Sequence, residues 1–292
     1  MIELDRLGHP DQAVLVTERP AIDVRVARGL SLRINPQRGL DIGAAWFRGV
    51  PIAWVGPAGE GGTDAADWHK AWGGGLVTTC GLDNVGAPSE GIGLHGTYTF
   101  LAAHDVVYER SPSGVTVTAT IDDPRGLRAE RAISVEGGSV ELADRTTNVS
   151  DVRLAAPLLY HVNFGWPLWD AGATVETDAD EVRPRDEDAA PHDPSPAPPE
   201  PAALPERVWE HVGATRAGVT NEALGIAVQL EFDLPKLWQW VDPAPGVYAL
   251  SLEPANCSVL GRAHDRAEGT LPFLDPGDER TTRIAVTAKE VE

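Results

Sequence analysis

Apolar residues recur at every second position in segment after segment of this chain. The pattern runs through Ile22-Asp-Val-Arg-Val26, Leu30-Ser-Leu-Arg-Ile34, Leu40-Asp-Ile-Gly-Ala-Ala-Trp46, Val115-Thr-Val-Thr-Ala-Thr-Ile121, Leu127-Arg-Ala-Glu-Arg-Ala-Ile133 and Val140-Glu-Leu142. It resumes in Val208-Trp-Glu-His-Val212, Ile226-Ala-Val-Gln-Leu-Glu-Phe232, Val247-Tyr-Ala-Leu-Ser-Leu252 and Thr282-Arg-Ile-Ala-Val286. Successive side chains of a strand point to opposite faces, so this alternation predicts half-buried antiparallel strands, each bounded by Gly, Pro or Asn. Strands spaced this way from near one end to the other predict an all-β protein, a large antiparallel β-sandwich forming a single domain over 1–292. The best helical segment is short, Asp64 to Trp72, with Thr63 or Asp64 as its cap and Gly73 to Gly75 as its stop. From Glu176 the chain turns acidic and leads into Pro191-His-Asp-Pro-Ser-Pro-Ala-Pro-Pro-Glu-Pro201. Proline at that density cannot donate to a sheet ladder, so 176–205 reads as an exposed excursion, with a Pro-rich loop at about 189–205.

Composition narrows the function. The 292 residues carry 44 acidic and 24 basic side chains, a formal charge of −20. Nucleic acids and anionic membranes are bound through clustered Lys and Arg, so neither is an expected partner. No run of about 18 apolar residues is present, and Met1-Ile-Glu-Leu-Asp-Arg6 lacks the basic-then-apolar order of a secretion signal, so a cytoplasmic location is expected. Two cysteines, Cys80 and Cys257, are too few for a disulfide framework or a thiolate metal site, and reduced thiols are expected.

Four segments break the alternation and gather polar residues of catalytic type. Asp83 and Asn84 lie before a Gly- and Pro-rich loop that ends at His95-Gly96. His161 and Asn163 share one face of the aromatic strand Pro157-Leu-Leu-Tyr-His-Val-Asn-Phe-Gly-Trp-Pro167. Leu237-Trp-Gln-Trp240 is the third segment. In the fourth, Glu253 stands before Pro254 at the predicted end of a strand, held extended at the mouth of the sheet. Taken singly, each has a structural reading: an Asx turn for Asp83 and Asn84, a hydrogen-bonded structural role for any one histidine, core for Trp166 and Trp240.

In combination and in order, Leu94-His-Gly96, Tyr160-His-Val-Asn-Phe164 and Leu252-Glu-Pro254 resemble the motifs of the aldose 1-epimerases, the galactose mutarotases. Leu274-Asp-Pro-Gly-Asp-Glu279 is similar to that family's late Pro-Gly-Glu turn. Arg38-Gly-Leu-Asp-Ile42, Gly81-Leu-Asp-Asn84, Pro184-Arg-Asp-Glu-Asp188 and Leu252-Glu-Pro-Ala-Asn256 resemble a poorly characterised bacterial branch of the superfamily, over roughly residues 20 to 290. The resemblance implies a β-supersandwich with a sugar cleft and acid–base catalysis without a metal or other cofactor. In it Glu253 takes the proton of the anomeric hydroxyl, His161 donates one to the ring oxygen and His95 assists. Arg38 is the candidate for the family's sugar-binding arginine, and Gln239 or Trp240 falls near the family's aspartate. Asp83, Asn84 and Asn163 are further candidate hydroxyl ligands, and Trp54, Trp166 or Trp240 a candidate face for the sugar's C–H surface. A phosphorylated sugar would need an arginine pair, for which Arg183, Arg185 and Arg262 are available.

The implied function is interconversion of the α and β anomers of a free sugar through ring opening. A non-catalytic sugar sensor on the same fold, or epimerisation at another sugar carbon with the same acid–base pair, are the alternatives, since a fold alone does not specify activity.

Overall fold

The computed structural model describes residues 14–56, 59, 68–170, 172–194 and 204–291. The strands assemble into two large antiparallel sheets. In spatial order the larger is β1 (Val14–Arg19), β2 (Ala21–Val26), β3 (Leu30–Asn35), β4 (Asp41–Phe47), β6 (Val77–Gly81), β12 (Leu158–Phe164), β19 (Ala249–Ala255), β18 (Lys236–Asp242), β15 (Arg207–Val212) and β14 (Glu181–Pro184), with β5 (Val50–Pro51) paired to β4. The second is β13 (Ala173–Thr177), β16 (Arg216–Asn221), β17 (Ile226–Phe232), β21 (Glu279–Glu290), β10 (Ser139–Asn148), β9 (Leu127–Glu136), β8 (Gly114–Asp123) and β7 (Ala103–Arg110). A two-stranded ribbon joins β11 (Leu154–Ala155) to β20 (Phe273–Leu274). Among the described residues, helix is confined to α1 (Trp68–Ala71), α2 (Arg262–Ala267) and one 3₁₀ turn at Tyr98–Phe100. No described helix is long and apolar enough to cross a membrane.

The sandwich expected from the alternation is present, and its physical cause is visible strand by strand. In β8, β9 and β10 buried and exposed positions alternate, because one face meets the larger sheet and the other meets solvent. The inward residues of both sheets, among them Ile34, Ile42, Val117, Ile133, Val162 and Leu230, form one continuous core.

One expectation needs correction. The acidic stretch from Glu176 is not all loop: Glu176 and Thr177 end β13, and Glu181 to Pro184 pair with β15 as the edge strand β14. An edge strand leaves one row of backbone groups unpaired, which is why it can end on proline. Of the Pro-rich loop, 195–203 lie outside the described residues, as do 64–67 of the predicted helix 64–72, of which 68–71 form α1.

The core contains a buried ionic cluster that ties the sheets together. Arg131 of β9 is fully buried and makes a bidentate pair with Asp144, its cross-strand partner on β10, at 2.8 and 2.7 Å. Its remaining terminal nitrogen, Nη1, donates to Asp41 of β4 at 2.9 Å and to the Gly39 carbonyl at 2.8 Å. Asp41 in turn accepts from the Thr79 amide and hydroxyl on β6, and Asp144 accepts from the Tyr160 hydroxyl on β12 at 2.7 Å. Removing one member of such a cluster strands the opposite charges in the core. Arg131→Met is therefore expected to lower unfolding free energy by about 3–5 kcal/mol, read from a urea titration; a loss below 1 kcal/mol would show that the cluster does not tie the sheets.

Candidate active site

The central strands β6, β12, β19 and β18 lack exposed positions apart from the half-buried ends of β18. One face of each packs on the second sheet. The other is covered by a separate cluster that includes Trp54, Trp68, Trp238, Trp240, Leu159 and Cys80. A cleft opens within this cover.

Register determines which side chains meet there. Leu159 pairs with Ala255 and Val162 with Leu252, which sets His161 directly opposite Glu253 across β12 and β19. The ladder has no bonded pair at that point, where Pro254 lacks an N–H to contribute. His161 also faces Thr78 of β6, and Glu253 faces Trp238 of β18. The next row on the same face is Asn163, Ser251, Trp240 and Val208. Glu253 is thus in the body of a central strand, 2% exposed, and not at the strand end that the following proline suggested.

His161 Nε2 and Glu253 Oε1 lie 3.1 Å apart. Each is oriented by the residue two positions away in the neighbouring row. Ser251 donates its hydroxyl to Glu253 Oε1 at 2.8 Å. The Asn163 amide nitrogen donates to the carbonyls of Gly75 and His161, so its oxygen is the group 2.6 Å from His161 Nδ1 and accepts a hydrogen bond from the Nδ1–H. Nδ1 therefore carries a hydrogen and Nε2 faces the carboxyl. Burial, assisted by the nearby Glu206 charge, pushes the Glu253 carboxyl up to about 8. Burial likewise holds the His161 imidazole down to about 4, the Asn163 hydrogen bond opposing it. At neutral pH the contact is a neutral hydrogen bond, Glu253 donating to His161, with one proton shared between two groups of opposite tendency.

His95 completes the polar floor. Its ring centroid is 5.6 Å from that of His161 and 5.0 Å from Trp68. Its φ of 56° is left-handed, a conformation costly for a residue with a side chain, and Gly96 follows at 70°. A Cβ at Gly96 would stand 2.2 Å from Asp83 Oδ1, so the His-Gly order is required for the backbone to turn here.

The cleft has two adjoining lobes of about 820 and 580 Å³ that share Trp68, Leu94, His95, His161, Glu206 and Trp240. Glu253 and Arg185 line only the larger. Arg185 ion-pairs with Asp186 and, at 3.1 Å, with Glu206, whose other oxygen accepts the Trp240 indole N–H at 2.7 Å.

Of the residues singled out in the sequence, His95, His161, Glu253, Trp240 and Arg185 converge on this cleft, with Trp54 in the second lobe. The others are placed elsewhere. Asp83 is consumed by the amides of Asn84 and Thr97 and the Thr97 hydroxyl. Asn84, fully buried, donates to Ala87 and Gly93 carbonyls and accepts from the Arg262 amide. Both fasten the loop that carries His95 and neither lines the cleft, which is the fate an Asx pair has when its side chains serve its own backbone. Asn163 acts through His161. Arg38 lies over Phe100 and donates to the Ala71 carbonyl, bracing α1. Gln239 points to the opposite face, bonding His211 and the Pro194 carbonyl. Trp166 is 67% exposed and lines neither lobe. Arg183 and Arg262 pair with Glu181 and Glu90, so the three arginines do not converge.

Glu206, Trp68 and Trp72 belong to the cleft without having been marked by the sequence. The i, i+4 spacing of the two tryptophans on a helix is the signal that would have placed them on one face. Glu206 carries no local signal.

Two stability measurements follow from these placements. Asn84→Ala, which takes the side-chain partner from the Ala87 and Gly93 carbonyls and from the Arg262 amide, should cost about 1–3 kcal/mol in chemical denaturation; an unchanged midpoint would mean that the His95 loop does not depend on it. Glu253 keeps its proton on folding up to about pH 8 where an ordinary carboxyl of 4.5 loses it, so its contribution falls as pH rises through that window. His161 works in the opposite sense between about 4 and its ordinary 6.5, offsetting this at acid pH. From pH 6.5 to 8 the wild type should therefore lose about 2 kcal/mol that Glu253→Gln does not lose; parallel stability–pH curves for the two would contradict the protonated carboxyl.

A family model described as a domain of unknown function (DUF4432) matches residues 18–288. No curated protein matches the chain. Among solved structures, a Klebsiella pneumoniae protein provisionally named an aldose 1-epimerase superimposes with a TM-score of 0.81 at 19% identity, over 93% of this chain and 79% of that one. A galactose mutarotase-like protein from Clostridium acetobutylicum gives 0.66 at 13%, over 95% and 98%. Another from Lactobacillus casei gives 0.59 at 16%, over 94% and 100%. At these identities the likeness is one of fold, the galactose mutarotase-like sandwich. With a match that runs through both sheets and every residue of the cleft, the chain belongs to the DUF4432 family.

Proposed function

We propose that this protein is a mutarotase, interconverting the α and β anomers of a free sugar by acid–base catalysis at Glu253 and His161. The observation that carries the reading is the 3.1 Å contact between the Glu253 carboxyl and the His161 imidazole in a tryptophan-lined cleft. Ring opening removes a proton from O1, adds one to the ring oxygen, breaks the bond from C1 to that oxygen and forms the C1 carbonyl. A pair with one proton and one vacancy supplies both transfers at once and ends with the same count. With the proton passed to His161 Nε2, the Glu253 carboxylate takes the O1 proton while His161 donates to the ring oxygen. The open-chain aldehyde then faces a protonated Glu253 and a neutral His161, the arrangement of the resting pair. Rotation about C1–C2 and the reverse transfers close the ring on the other face. His95 stands beside His161 as a further polar contact to the sugar, and the tryptophans offer apolar surface to its C–H faces.

The experiment is α/β exchange measured by NMR over hexoses, deoxy sugars, pentoses, uronic acids and sugar phosphates. Glu253→Gln should lower the exchange rate by about 10²–10⁴-fold while leaving sugar binding detectable. For the wild type, kcat/KM should be level near neutrality and fall above about pH 8, where the pair loses its proton, and below about pH 4, where it gains a second. Undiminished exchange in Glu253→Gln would remove Glu253 from the mechanism. Binding without accelerated exchange of any sugar would favour a sensor, and incorporation of solvent deuterium at a sugar carbon would favour epimerisation, since mutarotation breaks no C–H bond.

A further inference from the structure

We infer that the Glu206–Arg185 ion pair is a positioning element for the acid–base pair and governs how firmly Glu253 holds its proton; this rests on reading Glu253 and His161 as that pair. Neither residue stands in the row of Glu253 and His161, yet together they reach both members of it. Glu206 Oε2 accepts the Trp240 indole N–H at 2.7 Å, and the Trp240 ring meets the His161 imidazole edge-on, with centroids 5.6 Å apart. Glu206 Oε1 accepts from Arg185 Nη1 at 3.1 Å, and both side chains line the lobe that Glu253 lines.

Arg185 is held from two further sides. Its backbone amide donates to the Val208 carbonyl at 2.8 Å, continuing the β14–β15 ladder by one residue, and its Nε donates to Asp186 at 2.6 Å. The guanidinium is therefore a charge fixed on the cleft wall, with 23% of the side chain exposed. A fixed charge beside a water-poor site is felt more strongly than the same charge in bulk water.

The ionisable groups about Glu253 come from four directions: His161 of β12, Cys80 of β6, His95 of its loop, and the Glu206–Arg185 pair beside the start of β15. Burial keeps the Cys80 thiol protonated and the His161 imidazole neutral at pH 7. The charges that act on Glu253 are those of Glu206 and Arg185, and they act in opposite directions. Glu206 opposes a second negative charge in the lobe and so holds the proton on Glu253, whereas Arg185 favours the carboxylate and eases the proton's release. Bonded to each other they offset one another, which leaves the Glu253 proton held at rest but transferable to His161 Nε2, 3.1 Å away.

The test is a pH titration of the Glu253 carboxyl-carbon NMR resonance in the sugar-free protein, the signal being identified by its loss in Glu253→Gln. Glu206→Gln, whose amide oxygen still accepts from Trp240, should lower the midpoint, and Arg185→Met should raise it, each by about threefold in proton affinity, roughly half a pH unit. Arg185→Lys, which keeps the charge, should titrate with the wild type at about 8. Both positions are partly exposed and lie outside the two apolar clusters, so the substitutions are compatible with folding. Shifts of opposite sign separate a charge effect from loosened packing, which would move both midpoints the same way. A midpoint that stays in place in either neutralised variant, or moves against its expected sign, overturns the inference. The alkaline limb of kcat/KM should move with the midpoint in each variant. If no sugar exchanges faster, the mutarotase reading fails on its own, and the titration still decides the role of the ion pair.

Discussion

The Arg131 guanidinium, buried between the two sheets and bonded to Asp144, Asp41 and the Gly39 carbonyl, is the interaction on which the rest of the structure depends. A desolvated cation is tolerated only where geometry satisfies it fully, so the cluster dictates how β4, β9 and β10 stand relative to one another. Through Tyr160 it also holds β12, and through Thr79 it holds β6. Because residues alternate along a strand, securing Tyr160 on the core face sets His161 on the opposite face. A slip of one residue would exchange the two, burying the imidazole in the apolar core and losing the Tyr160–Asp144 bond.

That opposite face is where the fold departs from an ordinary sandwich. The outer sheet leaves its second face to water, whereas the central strands of the larger sheet are covered on both sides, the second time by tryptophans drawn from α1, β18 and the segment after β5. The cover excludes enough water to separate the proton affinities of Glu253 and His161 from their usual order, the carboxyl rising and the imidazole falling. In open solvent the same two groups would exist as an ion pair near neutrality. Under this cover the carboxyl keeps its proton and the imidazole stays neutral, so the two meet as a neutral hydrogen bond. Ser251 and Asn163 maintain the arrangement from the adjacent row, and the His95 loop, fastened by Asp83 and Asn84, closes one side of the cleft.

Much of this was legible in the chain itself. Period-two alternation identified the strands because a half-buried sheet repeats its environment every second residue, and the order of His95, His161 and Glu253 singled out three residues that meet in the cleft. The fully buried strands were less plain: β12 carries no alternation to read and β19 only in its first half, since both their faces are covered, and Glu253 looked like a strand end because a proline follows it. In the structure Pro254 sits within the strand at the one place where the ladder to β12 has no bonded pair.

What the sequence determined by itself is local and periodic: strand positions, the inward or outward facing of each residue, the turns that require glycine, and the residue types able to move protons. What only the tertiary structure decided is pairing across distance. Arg131 occupies an inward position of β9 by simple alternation, yet its partners Asp41 and Gly39 lie about ninety residues away and appear only when the sheets meet. Glu206 likewise enters the cleft by the pairing of β15 with β18, and Asp83 and Asn84 leave it because their own backbone amides and carbonyls claim them first. Periodicity is a property of one strand and its solvent, whereas a site is made by the registers between strands, which depend on the contacts of all of them together.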